Sequence, residues 1–154
     1  MKKIKRVLLI IFVSIILIFS NIRINISESA PLGVYLINRF SNKYEKGDYI
    51  VYRIDDEYKK YVSEELRDLD TVKEIKGMEG DEVEYVDNKV LINKKEVGTI
   101  DYNIPINSNK KYIISKDEFL TIGDVENSID GRYYGTIKRK DIKYKVYLIY
   151  RFNK

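Results

Sequence analysis

A mainly β domain set behind one N-terminal apolar helix is the fold class this sequence predicts. Three observations lead there. One apolar run, "VLLIIFVSIILIF" (Val7–Phe19), follows a basic start. Short segments rich in Ile, Val and Tyr recur through the rest of the chain, and tyrosine, which suits half-buried sheet surfaces, occurs 14 times. Gly, Asn and Asp punctuate those segments at close intervals. At 154 residues, 44% hydrophobic and 34% charged, the chain can build one domain with a core and is not disordered.

The apolar run is expected to be a transmembrane anchor over residues 7–22. About 16 residues make roughly 24 Å of helix, short of a ~30 Å hydrocarbon core. Snorkelling by Lys5, Arg6 and Arg23 would lengthen that span. A cleaved secretory signal is the alternative, but the following "FSNIRINIS" offers no small-x-small cleavage site. The charge asymmetry places residues 1–6 in the cytoplasm and residues 23–154 outside as the extracytoplasmic domain. The expected location is the cell membrane, with a single pass.

Within the domain, "DYIVYRI" (48–54) follows a Lys46-Gly47 turn signal and reads as a strand. "DDEYKKYVSEEL" (55–66) spaces Tyr58, Tyr61, Val62 and Leu66 for one short helix. "TVKEIKG" (71–77) is a strand ending at Gly77. "DEVEYVDNKVLINKKEVGTI" (81–100) is a β-hairpin turning at Asp87-Asn88-Lys89. "KKYIIS", "EFLTIG" and "KYKVYLIYRF" supply the remaining strands.

Composition narrows the chemistry. Histidine and cysteine are both missing, which excludes Ser-His-Asp and Cys-His catalysis, disulfides, thiolate metal sites and His-ligated zinc. No cofactor or metal is expected. The formal net charge is +4, and Lys2, Lys3, Lys5 and Arg6 account for all of it. The rest of the chain is neutral, so a nucleic-acid partner is disfavoured.

Three stretches stand out. In "SESAPLGVY" (27–35), Pro31 keeps Ala30 extended and Gly33 permits a tight turn, leaving Ser29 on an extended edge. An ordinary polar linker reads the same way. In "KEIKGMEGD" (73–81), a lysine on an apolar strand face beside Gly77 and Gly80 can be desolvated, and burial lowers a lysine pKa. A shift from ~10.4 to ~7 costs about 4–5 kcal/mol. Strand alternation puts Lys73 on the face of Ile75, and Lys76 on the face of Glu74. In "GDVENSIDGRYYG" (123–135), a polar loop is expected; Asp130 and Arg132 are close enough to pair, and Ser128 can hydrogen-bond an amine. Each stretch alone reads as ordinary surface. Together they supply what a serine hydrolase without histidine needs: a hydroxyl, a neutral amine as base, and a group to aim it.

In this order and spacing, Ser29-Ala30-Pro31-Leu32-Gly33-Val34-Tyr35, then Lys73…Gly77-x-x-Gly80-Asp81, then Gly123-Asp124-x-x-Asn127-Ser128-x-Asp130-x-Arg132-x-x-Gly135 resemble the type I signal peptidases. The S-x-P-x-G-x-Y form of the first box is closest to their conjugative-transfer, pilin-processing branch. The resemblance implies a signal-peptidase-like mixed β-sheet domain and a membrane-bound Ser/Lys endopeptidase that removes signal peptides from exported preproteins, a pilin or conjugation protein among them. It implies Ser29 as nucleophile, Lys73 as general base, Ser27 as a hydroxyl assisting the oxyanion hole, and Ser128 as the group holding the lysine amine. Asp130, Arg132, Gly77, Gly80 and Asp81 would shape the site. Partners would be preprotein signal peptides, membrane lipid and, by proximity, the protein-export machinery. Glu74, Glu79 and Val125 depart from the family's usual Arg, Pro and Asn. The alternative function is an inactive anchored β-domain serving as an assembly factor of a secretion or conjugation apparatus.

Overall fold

The computed structural model describes residues 2–107 and 109–153. Met1, Ser108 and Lys154 fall within the terminus and domain ranges expected above and lie outside the described residues.

Helix α1 (Lys2–Ser20) carries the apolar run. It ends where polar side chains compete for its last carbonyls: Ser20 Oγ donates to the Leu17 carbonyl at 2.9 Å and Asn21 Nδ2 to the same oxygen at 2.8 Å. Ile22, expected inside the anchor, instead opens strand β1 (Ile22–Asn25). The transmembrane expectation is thereby corrected. Among the described residues no helix is long and apolar enough to cross a membrane. The apolar part of α1, Val7–Phe19, is about 13 residues, or roughly 20 Å, against a ~30 Å hydrocarbon layer.

Ten more strands follow: β2 (Gly33–Asn38), β3 (Tyr49–Tyr52), β4 (Thr71–Gly77), β5 (Glu82–Val86), β6 (Lys89–Ile92), β7 (Lys95–Thr99), β8 (Lys111–Ile113), β9 (Glu118–Ile122), β10 (Ile137–Lys138) and β11 (Tyr144–Arg151). A seven-stranded sheet runs β1-β2-β11-β3-β4-β9-β10, and a four-stranded sheet β7-β6-β5-β8. Every pairing among the described residues is antiparallel, so the mixed sheet expected by resemblance is not what forms. The hairpin at Asp87-Asn88 closes with Val86 opposite Lys89, a loop of two residues where three were expected. A second hairpin turns at Asn93 and Lys94, both at positive φ, as a type I′ turn requires.

Residues 55–66 depart from the expected helix. Only a 3-10 turn forms, Lys59–Tyr61, and Val62 leaves it in extended geometry. Tertiary packing decides: the Tyr58 side chain is buried, edge-on to Tyr134 at 5.5 Å, and its hydroxyl donates to the Tyr133 carbonyl at 3.2 Å. The one short α-helix lies elsewhere. Helix α2 (Gly131–Tyr134) occupies the stretch expected as a loop, because the Asp130 side chain caps it by accepting from the Arg132 N–H.

One core joins the two sheets, with Val83, Val90 and Ile92 packed against Leu120, Ile122, Ile129 and Tyr133. A second lies under β2, β3, β4 and β11 around Tyr35, Val51, Val72 and Val146. Between the start of β4 and the β1–β2 connection a cleft remains open.

Candidate active site

The cleft has a volume of about 490 Å³ and is lined by Ser27, Glu28 and Ser29 on one side, Thr71, Val72 and Lys73 along its floor, and Asn127, Ser128 and Ile129 beyond them. Ile54, Tyr61, Val62, Leu66 and Leu69 give it an apolar wall. The three stretches picked out by sequence, about 100 residues apart end to end, meet in one place because β2, β11, β3, β4 and β9 are successive neighbours in one sheet.

The first stretch connects β1 to β2. It was expected to run extended, but it turns at Glu28–Ser29, with the Ala30 N–H donating to the Ser27 carbonyl at 3.4 Å. The turn still brings the two hydroxyls together: Ser27 Oγ and Ser29 Oγ are 2.8 Å apart. Ser29 itself is buried. Its carbonyl accepts from the Asp124 N–H at 3.0 Å, which ties the first stretch to the third.

The second stretch is β4, whose side chains alternate as its sequence predicts. Lys73, Ile75 and Gly77 are buried on one face, while on the other Val72 is buried in the second core and Glu74 and Lys76 are only partly covered. Lys73 is 3% exposed. Its Nζ donates to Ser128 Oγ at 2.5 Å, and among the described residues it makes no ion pair. Burial holds its pKa down, from 10.5 to about 8, with the Asp130 carboxylate opposing that shift and the Arg132 guanidinium adding to it. Lys76, on the other face, is in an ion pair with Glu74 at 2.6 Å. The Lys73 hydrogen bond goes to Ser128 rather than to Ser29.

The third stretch is held by a buried ion pair. Asp130 Oδ2 accepts from Arg132 Nη2 and from the Gly123 N–H, each at 2.7 Å. The guanidinium then donates to the carbonyls of Val125 at 2.7 Å and Glu126 at 3.0 Å. Both side chains are essentially inaccessible to water. Breaking such a pair from one side costs about 3–5 kcal/mol. Gly123 sits between the two hydroxyl-bearing segments: a Cβ there would meet Ser29 Cβ at 2.9 Å and crowd Ser128 Oγ still more closely. Only glycine allows that approach.

Gly77, Gly80 and Asp81 do not line the cleft. They form the joint between the sheets, where Gly80 has φ +85° and Asp81 receives Lys46 Nζ at 2.7 Å, the Met78 N–H at 2.7 Å and Asn93 Nδ2 at 2.8 Å. Among the described residues no cluster of acidic side chains could hold a metal ion.

Two features escaped the sequence reading. One is the apolar wall, which depends on how residues 54–69 fold back. The other is Asn25, buried at the end of β1, which hydrogen-bonds around the Ser27–Pro31 turn. Nothing in a lone Asn at a strand end distinguishes it from a surface residue.

A hydroxyl pair and a buried lysine amine whose pKa burial lowers thus border one open cleft. The chain belongs to the signal peptidase, peptidase S26 family, whose model matches residues 1–151. That family comprises serine endopeptidases acting on signal peptides. No curated protein matches the chain. Among solved structures, a signal peptidase I from Enterococcus faecalis V583 is 17% identical, covering 67% of this chain and 96% of its own, with a TM-score of 0.41. That likeness is too slight to bear on the site.

Proposed function

We propose that this protein cleaves signal peptides from exported preproteins with Ser29 as nucleophile and Lys73 as general base. The observation that carries the proposal is Lys73: an amine 3% exposed, bonded to a serine hydroxyl and not to a carboxylate, in the wall of the cleft that holds Ser29. In the mechanism we infer, the Ser29 hydroxyl turns about χ1 from Ser27 toward Lys73. Its oxygen attacks the scissile carbonyl while the neutral amine takes its proton. The Ser27 hydroxyl donates to the developing oxyanion. The Lys73 ammonium protonates the departing amine, and water, deprotonated by the same lysine, releases the acyl group. Ser128 keeps the amine aimed throughout.

The substrate enters as an extended strand. The β4 backbone at Thr71–Lys73 pairs β3 on one side only, since β9 begins to pair at Glu74. That leaves a free edge for strand addition along the cleft floor. We place the reaction at the outer face of the cell membrane, where signal peptides arrive; the exposed apolar residues of α1 support lipid contact. The conjugation-dedicated branch rests on the spacing of Ser29, Pro31, Gly33 and Tyr35 alone, and a match to signal peptidases at large lends it nothing.

The test is incubation in detergent with a panel of preproteins and a pilin precursor, comparing wild type with Ser29→Ala. Wild type is expected to process at least one precursor and Ser29→Ala none. Cleavage by pure Ser29→Ala protein would remove Ser29 as nucleophile.

A further inference from the structure

Asn25 ends β1 opposite Gly33, the first residue of β2, so it stands at the neck of the connection that carries Ser27 and Ser29. Its side chain is 4% exposed and is turned into that connection. Nδ2 lies 2.8 Å from the Ser27 carbonyl, 3.1 Å from that of Ala30 and 3.1 Å from that of Pro31, while Oδ1 accepts from the Ser27 N–H at 3.3 Å. Two N–H bonds thus serve three carbonyls, one of them shared, and the amide spans the whole turn. Its bond to Ser27 N–H and C=O fixes the peptide planes on both sides of the oxyanion-assisting serine. Its bonds to Ala30 and Pro31 fix the chain just after the nucleophile.

Other donors also hold the connection, and within the turn the Ala30 N–H reaches the Ser27 carbonyl at a longer 3.4 Å. Tyr35 Oη donates to the Pro31 carbonyl at 2.7 Å, the Phe152 N–H to that of Leu32 at 2.9 Å, and the Asp124 N–H to that of Ser29 at 3.0 Å. The donors from Tyr35, Phe152 and Asp124 do not reach Ser27. Asn25 is the side chain that couples the Ser27 end of the turn to the Ala30 end, across Ser29. An aspartate of the same shape would face three carbonyl oxygens with no hydrogen to give.

We propose that Asn25 is a positioning residue for the Ser29 reaction: its amide, with both polar atoms engaged by the turn, sets the distance and direction of the Ser27 and Ser29 hydroxyls. This rests on the peptidase reading above. A misplacement of about 1 Å costs on the order of 10²-fold in turnover. Asn25 borders the cleft but is only 4% exposed, so truncating it leaves nearly all of the lining in place and substrate binding is expected to stay.

The experiment measures kcat and KM for wild type, Asn25→Ala and Asn25→Gln on a precursor that wild type cleaves, with circular dichroism to establish folding. Asn25→Ala is expected to lose about 10²-fold in kcat, with KM and the pH midpoint unchanged. Asn25→Gln, which keeps the amide on a longer stem, is expected to recover most of that loss. Where Asn25→Ala does not fold, Asn25→Ser, whose short hydroxyl cannot span the turn, is read in its place: a fall in kcat at unchanged KM supports the proposal and a normal kcat overturns it. Normal kcat in folded Asn25→Ala overturns it, as does a loss that lies in KM. Wild type that cleaves no precursor sinks the peptidase reading and this inference with it; wild type that cleaves while Asn25→Ala keeps pace sinks this inference alone.

Discussion

Strand β4 carries two lysines three residues apart, and its two ends put them in opposite surroundings. At the Thr71 end, Lys73 faces inward beneath the cleft, its amine bonded to Ser128 and its pKa lowered to about 8 by burial. At the Gly77 end, Lys76 faces outward and pairs with Glu74, while the turn beyond is clasped by the Lys46–Asp81 ion pair. The same residue type is buried against a serine hydroxyl in one place and ion-paired with a partly exposed carboxylate in the other. Neither propensity nor local charge makes that difference. The face of the strand makes it, together with the kind of partner waiting there.

The largest expected effect breaks the comparison at the cleft end. Lys73→Ala should lose 10²–10⁴-fold or more in turnover, the range general-base removal typically shows. Lys73→Arg should be as inactive, because a guanidinium does not give up its proton at working pH. Steady-state cleavage of a processed precursor measures both. Equal activity in wild type and Lys73→Ala would move the base elsewhere.

Ser27→Ala should fall next, by about 10²–10³-fold in kcat, as the loss of one oxyanion donor does. Its 2.8 Å contact with Ser29 motivates the prediction. An unchanged kcat would leave Ser27 with a structural role only.

At the turn end the effects should be on stability and not on turnover. Asp81→Asn removes the charge that receives Lys46, the Met78 N–H and Asn93, and should lower unfolding free energy by about 1–3 kcal/mol. Activity per folded molecule should hold. Denaturant melts read alongside turnover separate the two. The smallest effect belongs to Lys76→Ala, which should keep most activity; an inactive Lys76→Ala would reverse the assignment of the two strand faces.

Much of this contrast was legible in the sequence because it is local. Alternation along "TVKEIKG" gives the strand, its faces and the choice between lysines. Asp130 and Arg132, two residues apart, meet across a capped turn that their own spacing allows. What was not legible depends on distant partners. The spacing of Tyr58, Tyr61 and Val62 reads as a helix until Tyr58 is drawn to Tyr134 in the core. Ile22 reads as the last residue of an anchor until Leu36 of β2 pairs with it. Three carbonyls converging on Asn25 leave no trace in any single stretch.

Protonation of Lys73 is the claim on which the rest depends, and it has consequences on two scales. Activity should rise with pH through about 8, as the amine loses its proton. Stability should also rise, between about 8 and 10.5, because the unfolded chain there binds a proton that the folded one has released. The most direct measurement is an NMR titration of the lysine side-chain amines in the folded protein, with Lys73→Ala used to assign the resonance. The account predicts that Lys73 titrates near 8, apart from the bulk of the lysines. A Lys73 amine that stays charged up to about 10.5 would contradict it.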